Sequence, residues 1–139
     1  MSTLDHNKST ARRWLDLVSA GDLAQLKALT SPDWVMLGGP PNLPPGHAGL
    51  DELFRTIGPV QQTWEVEQIL AEGDVVAVRA MNHCTQESFL GVPGRGIEQI
   101  FAATFLLRIV DGRVIQTWRT ADDLGRLLQL GAHIEAGAA

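Results

Sequence analysis

A chain of 139 residues, 45% hydrophobic and 19% charged, has the size and balance of one domain spanning residues 1–139 with one core. A formal net charge of -5 argues against a nucleic-acid footprint, because phosphate binding draws on clustered Lys and Arg and only "ARR" at 11–13 comes close. The opening "MSTLDHNKST" has no apolar core of signal-peptide type and no stretch is long and apolar enough to span a bilayer, so a cytoplasmic protein without a membrane partner is expected.

In chain order, Ala11, Trp14, Leu15 and Val18 recur at i, i+3, i+4 and i+7, and Gly21 supplies a stop, which predicts one amphipathic helix. Asp22 caps a second, shorter helix carrying Leu23, Leu26 and Leu29, which ends before "SPD". "WVMLGG" at 34–39 reads as a strand. The four prolines of "GPPNLPPGHAG" make a loop at the rim of a cavity, and Leu50, Leu53, Phe54 and Ile57 define a third helix closed by Gly58 and Pro59.

From residue 62 the period becomes strand-like. "TWEVEQIL" alternates, "EGD" turns, and "VVAVRAMNHCTQE" forms a long strand. "SFLGVPGRG" interrupts the pattern before "IEQIFAATFLLRIV" resumes it. Asp111-Gly112 is a hairpin signal leading into "RVIQTWRT". Four consecutive strands predict an antiparallel meander. "DDLGRLLQLG" predicts a final helix bearing Leu124, Leu127 and Leu128, followed by a frayed "EAGAA" tail. Helices first and a long meander afterwards imply an α+β fold in which the sheet wraps the helices and leaves an apolar pocket for a hydrophobic small molecule.

Several chemistries lose their reagents. There is no tyrosine, and the two lysines, Lys8 and Lys27, sit in polar helical stretches where a desolvated Schiff-base amine is not expected. The single cysteine, Cys84, excludes an internal disulfide and a cysteine-rich zinc site. The four histidines show no H-x-H or H-E-x-x-H spacing, so no metal is expected; His47 reads as a solvent-exposed loop residue.

The series "AEGDVVAVRA", "FLGVPGRG" and "LLRIVDGRVIQTWRTADDLGRLLQLG" resembles the SnoaL-like polyketide cyclases of the nuclear transport factor 2-like superfamily. Their pattern runs F-x-G-x-P, R-x-x-D-G-x-I/V, W-x-x-x-D-x-x-G and Q-L-G, and the likeness extends over about residues 7 to 133. The resemblance implies a cone-shaped curved antiparallel sheet wrapped around N-terminal helices and a homodimer. It also implies that the last Asp of W-x-x-x-D, here Asp122, serves as acid/base, without a cofactor. Two positions depart from the family pattern. Gly94, Arg95, Gly96 and Ile97 stand where Pro-Thr-Gly-Lys is common, and Gln116 stands where an acid is frequent.

Read by themselves, Val114, Gln116, Trp118, Thr120 and Asp122 share one strand face on a period of two, so an inward Trp118 carries Asp122 inward. The other reading of Asp122 is a cap on the final helix, a job that Asp123 or Thr120 could also do. His83 is the second catalytic candidate; it shares alternation with Arg79, Met81 and Thr85, and stands as either a pocket residue or an outer-face residue. Trp14, Trp34, Trp64 and Trp118 are core residues first, but four indoles without a tyrosine also suit a planar polycyclic ligand. Trp118, Gln116, Trp34, Trp64, Phe101 and Arg79 are therefore the substrate-binding candidates, with Phe89 beside them.

Aldol ring closure fits what the chain contains and lacks. It needs a closed apolar pocket, one buried carboxylate to move a proton, and a polar group to orient the carbonyl, here His83 or Gln116. A cofactor-free hydroxylase or an epoxide-opening cyclase is the alternative, marked by an Asp–Arg pair with a second polar group. A non-catalytic binding module is the third, marked by a pocket lined only by apolar groups with Asp122 locked in a cap.

Overall fold

The computed structural model describes residues 2–137. α1 (Thr3–Ala20) begins earlier than its apolar period, because Ser2 caps it by accepting the Asp5 N–H at 3.1 Å. It stops at Gly21, whose φ of 67° takes the left-handed conformation that closes a helix end. Trp14, Leu15, Leu17 and Val18 line its buried face. α2 (Leu23–Leu29) is capped by Asp22, as expected.

β1 (Thr30–Leu37) starts earlier than expected and ends before the two glycines. α3 (His47–Ile57) follows the proline-rich loop. β2 (Val60–Glu72) and β3 (Val75–Gln86) form a long hairpin, and a two-stranded ribbon of β4 (Ser88–Phe89) and β5 (Val92–Pro93) occupies the glycine-rich interruption. β6 (Gln99–Val110) and β7 (Arg113–Ala121) join through Asp111 and Gly112, both at positive φ, the geometry that matches strand twist. α4 (Asp123–Gln129) is the last helix of the described residues. Residues 132–137 carry no helix or strand, and the last two of the "EAGAA" tail lie outside the described residues.

The sheet order is β1-β7-β6-β3-β2. The β2-β3-β6-β7 meander is antiparallel, as expected, whereas β1 joins its free edge parallel to β7. The α+β expectation of a curved sheet wrapped around N-terminal helices holds. α1 lies against the inner face, where the Ser19 hydroxyl accepts the Trp64 backbone N–H at 3.1 Å. The inner face of β3 and β6 supplies Val76, Val78, Ala80, Phe105 and Leu107 to the core; each large side chain fully buried there contributes about 1.5–3 kcal/mol.

Two irregularities decide which side chains face inward. Ile109 pairs with Val114 but Arg108 pairs with Gln116, so Ile115 is an extra, bulged residue. The alternation of β7 flips there: Val114 and then Thr117 are buried, while Gln116 and Trp118 pass to the outer face. The second irregularity is α4, whose polarity is inverted. Leu124 and Leu128 are 50% and 49% exposed, whereas Arg126 is 7% exposed.

Candidate functional site

A cavity of about 560 Å³ opens between α1, α3 and the inner face of the sheet. Its walls are apolar: Trp14 and Val18 from α1, Ile57 from α3, Trp64 from β2, and Phe101 and Phe105 from β6. Trp64 sets its ring edge-on to Phe101 at 5.7 Å and to Phe105 at 5.1 Å, an arrangement that fixes three aromatic planes against one another. Gly38 to Pro41, the start of the proline-rich loop, form part of the rim, as that loop's composition suggested. Gly38 has φ 77°, and a Cβ there would lie 2.0 Å from the Arg119 carbonyl oxygen, so only glycine lets the rim approach β7 this closely.

The charged groups of the lining are Arg119, Asp123 and Arg126. Arg119 donates two hydrogen bonds to the Asp123 carboxylate, at 2.9 and 2.8 Å, from positions four residues apart across the β7–α4 junction. This bidentate geometry fixes the carboxylate plane but uses only part of its acceptor capacity. Asp123 is the one carboxylate among the described residues lining the cavity. Beside it, the Arg126 guanidinium lies 3.8 Å from the Phe89 ring centroid and 4.7 Å from that of Phe101, and donates to Gln86 Oε1. Gln86 Nε2 donates to the Ile57 carbonyl at 2.7 Å, which turns the amide oxygen toward the guanidinium. Burial pushes the Arg126 pKa down and the Cys84 thiol up, so Cys84 stays protonated at neutral pH.

Several sequence expectations are corrected here. Asp122 is exposed and does not line the cavity. It is the N-cap of α4, accepting the Gly125 N–H at 2.9 Å. A Cβ on Gly125 would stand 2.3 Å from Asp122 Oδ2, so the D-x-x-G spacing is a capping device. The bulge at Ile115 is the reason: it moves the inward register from Trp118 and Asp122 to Arg119 and Asp123. Trp118 and Gln116 consequently face outward, Trp118 lying 5.8 Å from the Arg108 guanidinium.

His83 and Arg79 do share a face, but it is the outer one: His83 Nε2 is 3.3 Å from Glu65 and Arg79 is 3.3 Å from Glu67. No Asp122–Arg79 contact forms. Trp34 is fully buried and donates from Nε1 to Thr117 Oγ1 at 3.1 Å, with Trp14 as its aromatic neighbour, so it belongs to the core and not to the cavity. His47 is half-buried at the start of α3, its Nε2 3.0 Å from the Thr30 carbonyl, where an exposed loop residue was expected. Of the substrate-binding candidates, Trp64 and Phe101 line the cavity, and Phe89 joins them. Arg119, Asp123, Arg126 and Gln86 were not singled out by their pattern. The signal for Arg126 was an arginine inside a leucine-rich helix, which normally marks a solvated face.

A family model described as a SnoaL-like domain matches residues 11–117. Among solved structures, IdmH of Streptomyces antibioticus, a candidate polyketide cyclase, is 29% identical with a TM-score of 0.74, over 91% of this chain and 99% of that one. AclR of Streptomyces galilaeus, a candidate hydroxylase, is 24% identical with a TM-score of 0.78, over 93% and 98%. A LEH-like epoxide hydrolase of M. tuberculosis shares the fold at 16% identity and a TM-score of 0.74, over 93% and 92%. No curated protein matches the chain.

Proposed function

The chain belongs to the SnoaL-like family, and on that premise we propose that it is a polyketide cyclase-type enzyme closing a ring in an aromatic polyketide by a cofactor-free intramolecular aldol step. The observation that carries this reading is the position of Asp123, the one carboxylate on the cavity wall among the described residues, clamped by Arg119 in a cavity with aromatic walls. Asp123 takes a proton from the activated methylene. The resulting carbanion forms the new C–C bond at the ketone carbon as the carbonyl π pair moves to oxygen, and the proton on Asp123 passes to that alkoxide. The step is an isomerisation that consumes no oxidant. Arg119 holds the carboxylate plane, and Trp64, Phe101 and Phe105 press the side chain over the ring so that the reacting carbons meet. Likeness to IdmH, a candidate polyketide cyclase, supports ring closure in a polyketide as the class of reaction.

Incubating the protein with an uncyclised aromatic polyketide methyl ester of anthracycline type should yield ring-closed product, read by mass-resolved chromatography, well above the buffer rate. Product at the buffer rate alone would remove the reading. The Arg–carboxylate pair with Gln86 nearby also favours a second reading, hydroxylation or epoxide opening on the same scaffold. Hydroxylation would require dioxygen as the oxidant and would be lost under nitrogen, and epoxide opening would require a substrate that carries an epoxide and would yield a diol heavier by one water.

The homodimer implied by the resemblance finds support on the outer sheet face. Leu37, Trp118 and Leu106 are directly paired neighbours on β1, β7 and β6, and both leucines are exposed. Sedimentation at micromolar concentration should give a two-chain mass that Leu106→Glu converts to one chain; a monomeric parent protein would contradict it. No helix of the described residues is long and apolar enough to cross a membrane.

A further inference from the structure

Arg126 is a cation taken out of water with no carboxylate in ion-pair contact among the described residues; Asp123 acts on it only from a distance. Arg126 is 7% exposed, its Nε has no hydrogen-bond partner, and its bonded neighbour, Gln86, is neutral. Asp123, the acid nearest to it along α4, is engaged by Arg119, and the Cys84 thiol beside it is protonated. The Phe89 and Phe101 rings offer electron-rich faces that recover part of the desolvation cost, but no acceptor oxygen for the guanidinium N–H groups. A buried charge left in this condition is unfavourable unless something else completes its shell. Arg126 lines the cavity, so a ligand there can reach the guanidinium.

We propose that Arg126 anchors an anionic oxygen of the ligand, a carboxylate or an ionised phenol or enol conjugated to its ring, so that the cavity selects acidic aromatic compounds over neutral ones. The aromatic walls accept the ring, and the guanidinium reads the oxygen at its end, with Gln86 holding the fork in place. The inference rests on the reading of the cavity as a ligand site; it does not require that ring closure takes place.

The test is calorimetric binding with two probe pairs at pH 7: 2-naphthoate against methyl 2-naphthoate, and 2,4-dinitro-1-naphtholate against its methyl ether. The unmodified protein should bind the ionised member of at least one pair about 10-fold or more tightly than its methylated partner, the range of a charge-assisted hydrogen bond. The pair that discriminates tells carboxylate from phenolate. Arg126→Met should erase that preference, so that the ionised and methylated members of a pair bind within about 3-fold of each other, and Arg126→Lys should keep part of it. Equal binding within both pairs by the unmodified protein, or no binding of either ionised probe, overturns the proposal without reference to any variant. So does a preference that survives in a folded Arg126→Met protein. A preserved preference in a protein that closes no ring would defeat the cyclase reading and leave this one standing.

Discussion

Asp123→Asn is expected to slow ring closure by at least about 100-fold, the scale of a lost general acid/base, with the fold intact. The amide is isosteric and its oxygen still accepts from Arg119, which keeps the β7–α4 junction in place; what disappears is a group able to take a proton. Asp122→Asn should leave the rate within about 3-fold, because an Asn caps a helix as well as an Asp and its side chain never reaches the cavity. Asp122→Ala should cost about 1 kcal/mol of stability, read as a lower denaturation midpoint, again without a catalytic penalty. The adjacent pair thus separates by role: one carboxylate holds the helix and the other faces the substrate. A rate loss confined to Asp122 variants would reverse that assignment.

Trp34→Ala is expected to be the most damaging of the indole truncations, at about 3–5 kcal/mol. The ring is fully buried, 6.3 Å from Trp14, and its removal also leaves Thr117 Oγ1 without its donor inside the core. Urea unfolding should show a lower midpoint with an unchanged slope. Trp64→Ala should behave differently, weakening binding of the naphthyl probes more than it lowers the midpoint, since that indole is a wall of the cavity. Equal midpoints for the two variants would contradict the separation of core from cavity.

The helices and the meander were legible in the sequence because burial there follows a plain period. Trp14, Leu15 and Val18 repeat as a helix face, and Asp111-Gly112 announces its hairpin through the backbone angles it must adopt. The parallel docking of β1 on β7 was not legible, because strand partners far apart in the chain leave no local mark.

At the site, one residue accounts for most of what was missed. A period of two run through β7 places Trp118 and Asp122 inward, and the bulge at Ile115 makes every assignment after it fall on the wrong face. Nothing in "VIQTWRT" signals that bulge, since no glycine or proline marks it. The capping alternative for Asp122 was legible and is the one that the geometry adopts. Arg126 escaped for the opposite reason. A leucine-rich segment is read as leucines inward, yet α4 turns Leu124 and Leu128 outward and puts its cation into the cavity. His83 and Arg79 were grouped correctly on one face, and only the side of the sheet was open.

Proton removal by Asp123 is the step on which the mechanism stands, and deuterium uptake at the substrate carbon reads it without waiting for ring closure. An aromatic β-keto ester that lacks the receiving ketone, held with the protein in D₂O and followed by NMR, should exchange its methylene hydrogens faster than in buffer. Asp123→Asn should return that exchange to the buffer rate, and Asp122→Asn should not. Exchange at full speed in the Asp123→Asn protein would contradict the account.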